Sequence, residues 1–263
     1  MPPGTAQAWR LRFAGAMHST GSLQEGHGMR VLINGFGRIG RSVLRAWLGG
    51  AWPEIEIVAI NDIAAPEVCA YLLEYDSVFG PLAQTVQARD RWLRVGDRDF
   101  RLTRESDISA MALSDIDLVM ECTGLTENRG VVMRGLEAGA ARVLVSGPSH
   151  AADVTVVLGA NEDALTPAHR VISNASCTTN ALAPLVRVLD AAFGIRTGRM
   201  VTIHCYTGSQ PTVDAPRGDD LARGRAAALS MVPTTTSAGR LLDQVLPELA
   251  GRIECSAVRV PTA

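Results

Sequence analysis

The sequence predicts an α/β fold, a doubly wound parallel sheet followed by a second, α+β region. Three observations carry that expectation. Short apolar runs alternate with helical periodicity from Met29 onwards, and the first run leads straight into a glycine-rich turn. After Val171-Ile172-Ser173 the alternation gives way to a polar turn, a long helical pattern and a further strand. Each apolar run is short enough to be a strand buried on both faces, which is how parallel strands read.

In chain order, residues 30–34 are apolar, 35–40 turn, 41–48 are helical and 55–61 are apolar again, which makes a βαβ unit. Residues 86–103 alternate polar and apolar around Gly96-Asp97 and are expected to form an antiparallel hairpin near the sheet edge. Strands are expected at 117–122, 142–146 and 154–159, with a helix at about 129–138. Beyond a polar turn at 174–178, a helix is expected over 179–193 and a strand over 200–206. The stretch 207–224, rich in Gly, Pro, Asp and Arg, is too long for a routine connection and is expected to be a functional loop. A domain boundary near Cys177 divides residues 29–177 from 178–263. Residues 1–28 have neither a signal-peptide core nor helical periodicity, so they are expected to be a disordered extension, with translation starting at Met29.

The 263 residues are 47% hydrophobic and carry a formal charge of −2, which offers no footprint for nucleic acid. The longest apolar runs, such as Val154-Thr155-Val156-Val157-Leu158, fall far short of the roughly 20 residues a membrane-spanning helix needs. Five cysteines at irregular spacing, without a CxxC pair, argue against a disulfide framework or a metal site and fit a reducing cytoplasm.

Gly35-Phe36-Gly37-Arg38-Ile39-Gly40 satisfies the GxGxxG pattern between a strand and a helix, where absent side chains let a pyrophosphate approach the helix N-terminus. Asp62 ends the next strand, where a carboxylate accepts from ribose hydroxyls and repels a 2′-phosphate. The pair predicts a Rossmann-type domain that prefers NAD to NADP. Cys177, in Ser176-Cys177-Thr178-Thr179-Asn180, falls where a strand end gives way to a helix. Backbone N–H groups and the helix dipole there favour a thiolate and an oxyanion, so Cys177 is the candidate nucleophile. His204, near the end of the next strand, is the candidate base. The sequence leaves open whether the two meet.

The string Ala175-Ser176-Cys177-Thr178-Thr179-Asn180 is highly specific, and with it the chain resembles the phosphorylating glyceraldehyde-3-phosphate dehydrogenases. The likeness runs from Met29 to Thr262 and includes residues 33–41, Asn61-Asp62, Glu121-Cys122-Thr123-Gly124, His204 with Tyr206-Thr207, and residues 258–262. It implies a thioester on Cys177, with His204 as general base and acid, and release of 1,3-bisphosphoglycerate by inorganic phosphate. It implies NAD contacts from Arg38, Ile39, Asp62, Thr123 and Asn180. It also implies Thr207 and Arg259 for the substrate's own phosphate, with Ser176, Thr178, Thr236 and Ser237 for the attacking phosphate. The family's usual assembly is a homotetramer.

The chain departs from the family pattern at several places. Ser237 stands where glycine is usual, and Ala181 where a second cysteine is common. Ala215 replaces a bulkier leucine of many NAD-preferring relatives, which weakens the exclusion of NADP. Family members continue beyond the strand that carries Arg259, so residues 178–263 are expected to form an incomplete catalytic domain with unpaired sheet edges. Erythrose-4-phosphate dehydrogenase is the alternative within the class, and a truncated, non-catalytic NAD-binding module the alternative outside it.

Overall fold

The computed structural model describes residues 28–50 and 52–262, so the expectations for the N-terminal extension lie outside the described residues. The chain divides into two compact units. One holds the described residues up to Val156 with Asn161–Ala175, and the other holds Val157–Ala160 and the residues from Ser176 on.

The first unit is built on β1 (Met29–Asn34), α1 (Arg38–Leu48) and β2 (Ile55–Asn61), followed by α2 (Pro66–Glu74). Next come β3 (Val86–Arg89), β4 (Trp92–Val95), β5 (Arg98–Thr103), β6 (Leu118–Glu121), α3 (Arg129–Glu137), β7 (Arg142–Val145), β8 (Val154–Thr155) and β9 (Val171–Ser173). These strands form one sheet in the order β3-β4-β5-β2-β1-β6-β7-β9-β8. From β5 to β8 every pairing is parallel, whereas β3, β4 and β5 pair antiparallel. Alternate residues of β1 point to opposite faces. Val31 and Ile33 pack with Leu44 of α1 and Leu73 of α2, while Leu32 packs with Val132 of α3. Helices therefore cover both faces, and the doubly wound α/β architecture is as the apolar runs predict.

Four details differ from the sequence expectation. Helix α1 begins at Arg38 rather than at residue 41, because the third glycine lies inside its first turn. The segment 86–103 is a three-stranded meander with an extra turn at Asp90-Arg91, where Asp90 adopts φ 48°. The strand expected over 154–159 stops at Thr155. Helix α2 is not among the sequence expectations, although Pro66 at its first turn is a helix-start signal.

The second unit contains α4 (Cys177–Phe193), β10 (Gly198–Cys205), β11 (Val232–Thr234), α5 (Ala238–Val245) and β12 (Ile253–Val260). Its three-stranded sheet has the order β10-β12-β11, with β12 parallel to β10 and antiparallel to β11. Helix α5 packs on α4 and on β12, burying Leu241, Leu242 and Val245. On β10, Val201 and Ile203 are 53% and 67% exposed.

Candidate active site

At the carboxyl ends of β1, β2 and β6, each strand finishes in a polar residue. Asn34 donates to the Glu121 carboxylate at 2.6 Å, and Asn61 donates to the Asn34 side-chain oxygen at 2.8 Å. Glu121 also accepts from the Thr123 backbone at 2.8 Å and from the Thr123 hydroxyl. All three strand-end residues are buried, so these bonds fix the relative heights of the strands beneath the glycine turn. The sequence motifs contain these residues, but the network is not readable from them. The available signal was a polar residue ending each of three buried apolar runs.

The three glycines do different things. Gly35 turns the chain at φ 92°, and a Cβ there would lie 2.5 Å from the Thr123 nitrogen. A Cβ on Gly40 would meet the Gly35 oxygen at 2.2 Å, so glycine is what lets α1 pack onto its own entry turn. Gly37, the N-cap of α1, faces open space, with nothing within 4 Å of the place its Cβ would take. No side chain caps that helix and no acid stands in its first turn. An uncapped, positively polarised N-terminus opening onto free space is what a dinucleotide pyrophosphate requires, so the loop fits NAD. Asp62 accepts from Phe36 N–H at 2.6 Å and from Ala64 N–H at 2.8 Å, tying β2 to the glycine turn while leaving carboxylate lone pairs for a ribose. Arg38 is ion-paired with Asp76 and stacks 5.0 Å from the centre of the Phe79 ring. That pairing holds the Asp76 carboxyl well below the usual carboxylate range. Ile39 and Thr123 are exposed beside the loop.

In the second unit, Cys177 is the first residue of α4 and is exposed. Ser176 caps the helix, its hydroxyl accepting from Thr179 N–H at 3.1 Å. The entry is strained: Ala175 is fully buried at φ 55°, a region that costs a non-glycine residue about 1–2 kcal/mol. An N–H bond from Ala175 to the Ser173 hydroxyl, 3.1 Å long, holds it there. The Cys177 sulfur lies 3.2 Å from Nε2 of His204, so the candidate nucleophile and the candidate base, read separately from the sequence, are in contact. Strand register brings a third group alongside. His204 pairs directly with Arg259 across β10 and β12, and Arg259 with Val232 across β12 and β11.

The remaining expected residues are placed as follows. The Asn180 side chain turns back onto the Ser176 carbonyl at 3.0 Å. Thr178 is half-buried in the first turn of α4. Thr207, exposed just past β10, shares a 3.1 Å hydroxyl contact with Ser209. Thr236 and Ser237 form the junction of β11 with α5, where the Thr236 hydroxyl accepts from Ala238 N–H at 3.2 Å. No bond joins Thr207, Thr236 or Ser237 to Cys177 or His204 among the described residues. Burial pushes the thiols of Cys69 and Cys122 up to about 11 and about 12.

A doubly wound dinucleotide fold with an open helix N-terminus, in a chain whose second unit holds a helix-start thiol against an imidazole, fits the class of dinucleotide-dependent enzymes. Comparison with known proteins narrows it. The family model described as glyceraldehyde 3-phosphate dehydrogenase, NAD binding domain, matches residues 29–129, and the one described as its C-terminal domain matches residues 176–263. Glyceraldehyde-3-phosphate dehydrogenase of Cereibacter sphaeroides is 48% identical over 234 residues, which is 89% of this chain and 70% of the relative. Those of Xanthobacter flavus and Geobacillus stearothermophilus are each 47% identical over the same shares. The chain belongs to the glyceraldehyde-3-phosphate dehydrogenase family, a family of NAD-using oxidoreductases.

Proposed function

We propose that the chain oxidises glyceraldehyde 3-phosphate to 1,3-bisphosphoglycerate through a thioester on Cys177. The observation that carries this reading is the 3.2 Å contact between an exposed helix-start thiol and His204. The Cys177 sulfur adds to the aldehyde carbon, and His204 takes the hydroxyl proton of the adduct as it is oxidised to the thioester. N–H groups at the start of α4 stabilise the developing oxyanion. Inorganic phosphate then attacks the thioester carbon, releasing the acyl phosphate and restoring the Cys177 sulfur. NAD, when bound, supplies the hydride acceptor. Gly35, Gly37 and Gly40 make room for it, Asp62 holds its ribose, and Arg38, Ile39, Thr123 and Asn180 complete its surroundings.

Arg259 and Thr207 hold the substrate's phosphate, while Ser176, Thr178, Thr236 and Ser237 hold the attacking phosphate. Exposed Val201 and Ile203 on β10 support assembly as a homotetramer. The reading is tested by NADH formation from glyceraldehyde 3-phosphate, NAD and phosphate, with Cys177→Ala as control. It expects phosphate-dependent turnover that the substitution abolishes. A folded, NAD-binding chain without turnover contradicts it.

A further inference from the structure

The first unit holds a cavity of about 670 Å³ that the proposed function does not use. It opens on the sheet face that carries α3, where Ala59, Leu113 and Ile116 pack in one cluster with Leu32 and Val132. Neither the three glycines of the turn nor Asp62 or Thr123 lines it. Its volume falls among those of small-molecule sites, about 300–1,000 Å³. Strand alternation builds its basic side. Phe100 and Leu102 of β5 are buried in the core of the opposite face, so Arg101 between them faces the cavity. Leu102 N–H donates to the Arg91 carbonyl at 2.6 Å, which holds the turn between β3 and β4 against β5 and sets Arg91 on the same rim. Val58, Ala59, Met111 and Ile116 form the apolar wall.

The charges around the cavity divide into engaged and free. Arg30 pairs with Asp115 at 2.9 Å and with Glu56 at 3.7 Å, and Asp107 pairs with Arg134 at 3.1 Å. Arg104 donates to the Ile63 carbonyl at 3.1 Å. Among the described residues no hydrogen bond or ion pair engages the guanidinium groups of Arg91 and Arg101, or the carboxylates of Asp90 and Glu105. With Arg104 included, three guanidinium groups meet two free carboxylates, an excess of one positive charge. We infer that this cavity is a second ligand site, which takes a small amphiphilic anion with a flat apolar body and a single sulfonate or carboxylate group. The body lies against the apolar wall, and the forks of Arg91 and Arg101 grip the anionic group, whose paired oxygens match their geometry. Asp90 and Glu105 repel a polyanion, so one negative charge suits the rim better than the several of a nucleoside polyphosphate.

Anilinonaphthalene sulfonate, which has such a body and one sulfonate, is the probe, titrated by fluorescence against the full chain with NAD saturating throughout. One saturable site that persists under NAD is the expected result. Arg91→Gln combined with Arg101→Gln changes two exposed, unpaired side chains, and is expected to weaken that site at least about tenfold with thermal unfolding unchanged. Arg187→Gln combined with Arg196→Gln removes the same charge from the second unit and is expected to leave the affinity as it was. Phenylnaphthylamine, the same body without the sulfonate, is expected to bind wild type and the Arg91, Arg101 variant alike. Absence of saturable binding under NAD, an affinity that the Arg91 and Arg101 substitutions leave untouched, or an equal loss in the two double variants overturns the inference.

Discussion

Cys122 and Cys177 are the same side chain in two different regions, one buried and one exposed, and that contrast is why Cys177 is the proposed nucleophile. Cys122 follows β6, in a sheet covered by helices on both faces, and burial lifts its thiol to about 12. Cys177 opens a helix in the second unit, exposed, with an imidazole 3.2 Å away. The first unit spends its sequence on rigidity: alternating apolar strands, three buried polar strand ends and glycines at forced approaches. The second spends less on burial and places its polar groups by strand register. Binding a large cofactor needs a preformed cradle, whereas a nucleophile needs access.

The contrast is tested most severely at its reactive end. His204→Asn removes the proposed base while leaving the strand in place, and kcat is expected to fall by about 10²–10⁴-fold with little change in stability, read by steady-state kinetics and thermal unfolding. A loss of less than tenfold would assign proton transfer elsewhere. The next largest effect separates two glycines of one loop. Gly35→Ala forces a Cβ against the Thr123 backbone at a positive φ and is expected to cost about 2–5 kcal/mol in denaturant unfolding. Gly37→Ala meets open space, so stability is expected to hold within about 0.5 kcal/mol while NAD affinity drops at least about tenfold by calorimetry. Equal effects of the two substitutions would dissolve the distinction between turn and cradle.

Much of this was legible before the fold was seen. The alternating runs gave the parallel sheet, because a strand buried on both faces has no alternative to being apolar throughout. GxGxxG and the cysteine string marked the turn before α1 and the start of α4 as candidate sites, since turn geometry and helix entry are local properties of a few residues. The contact of Cys177 with His204 was not readable, because it depends on how a helix start and a strand end converge. The pairing of His204 with Arg259 is a register across 55 residues of sequence. The buried Asn34–Glu121–Asn61 network is hidden in the sequence for the same reason, whereas α2 carries a local signal in Pro66.

Smaller effects sharpen the picture. Iodoacetamide at neutral pH is expected to label Cys177 and to leave Cys69 and Cys122 unmodified, as peptide mapping would show. Because thiolate forms as the pH rises, labelling of the buried pair should emerge only as the pH climbs towards about 11 and about 12. Arg38→Ala is the mildest case. The Asp76 carboxyl is depressed in the folded state chiefly by its hydrogen bond to Arg38. Its stabilisation is therefore present above the unfolded carboxyl's value, near pH 4, and is lost as the pH falls through the lower folded one. With Arg38 half-exposed, the loss on substitution should stay below about 1 kcal/mol at neutral pH and shrink in acid, as urea unfolding across pH would show.

The most direct measurement is intact-protein and peptide mass spectrometry after mixing the chain with glyceraldehyde 3-phosphate and NAD in the absence of phosphate. One acyl adduct on Cys177, discharged when phosphate is added, is the expected result. A chain that forms NADH without any adduct at Cys177, or carries the adduct on another cysteine, would contradict the account.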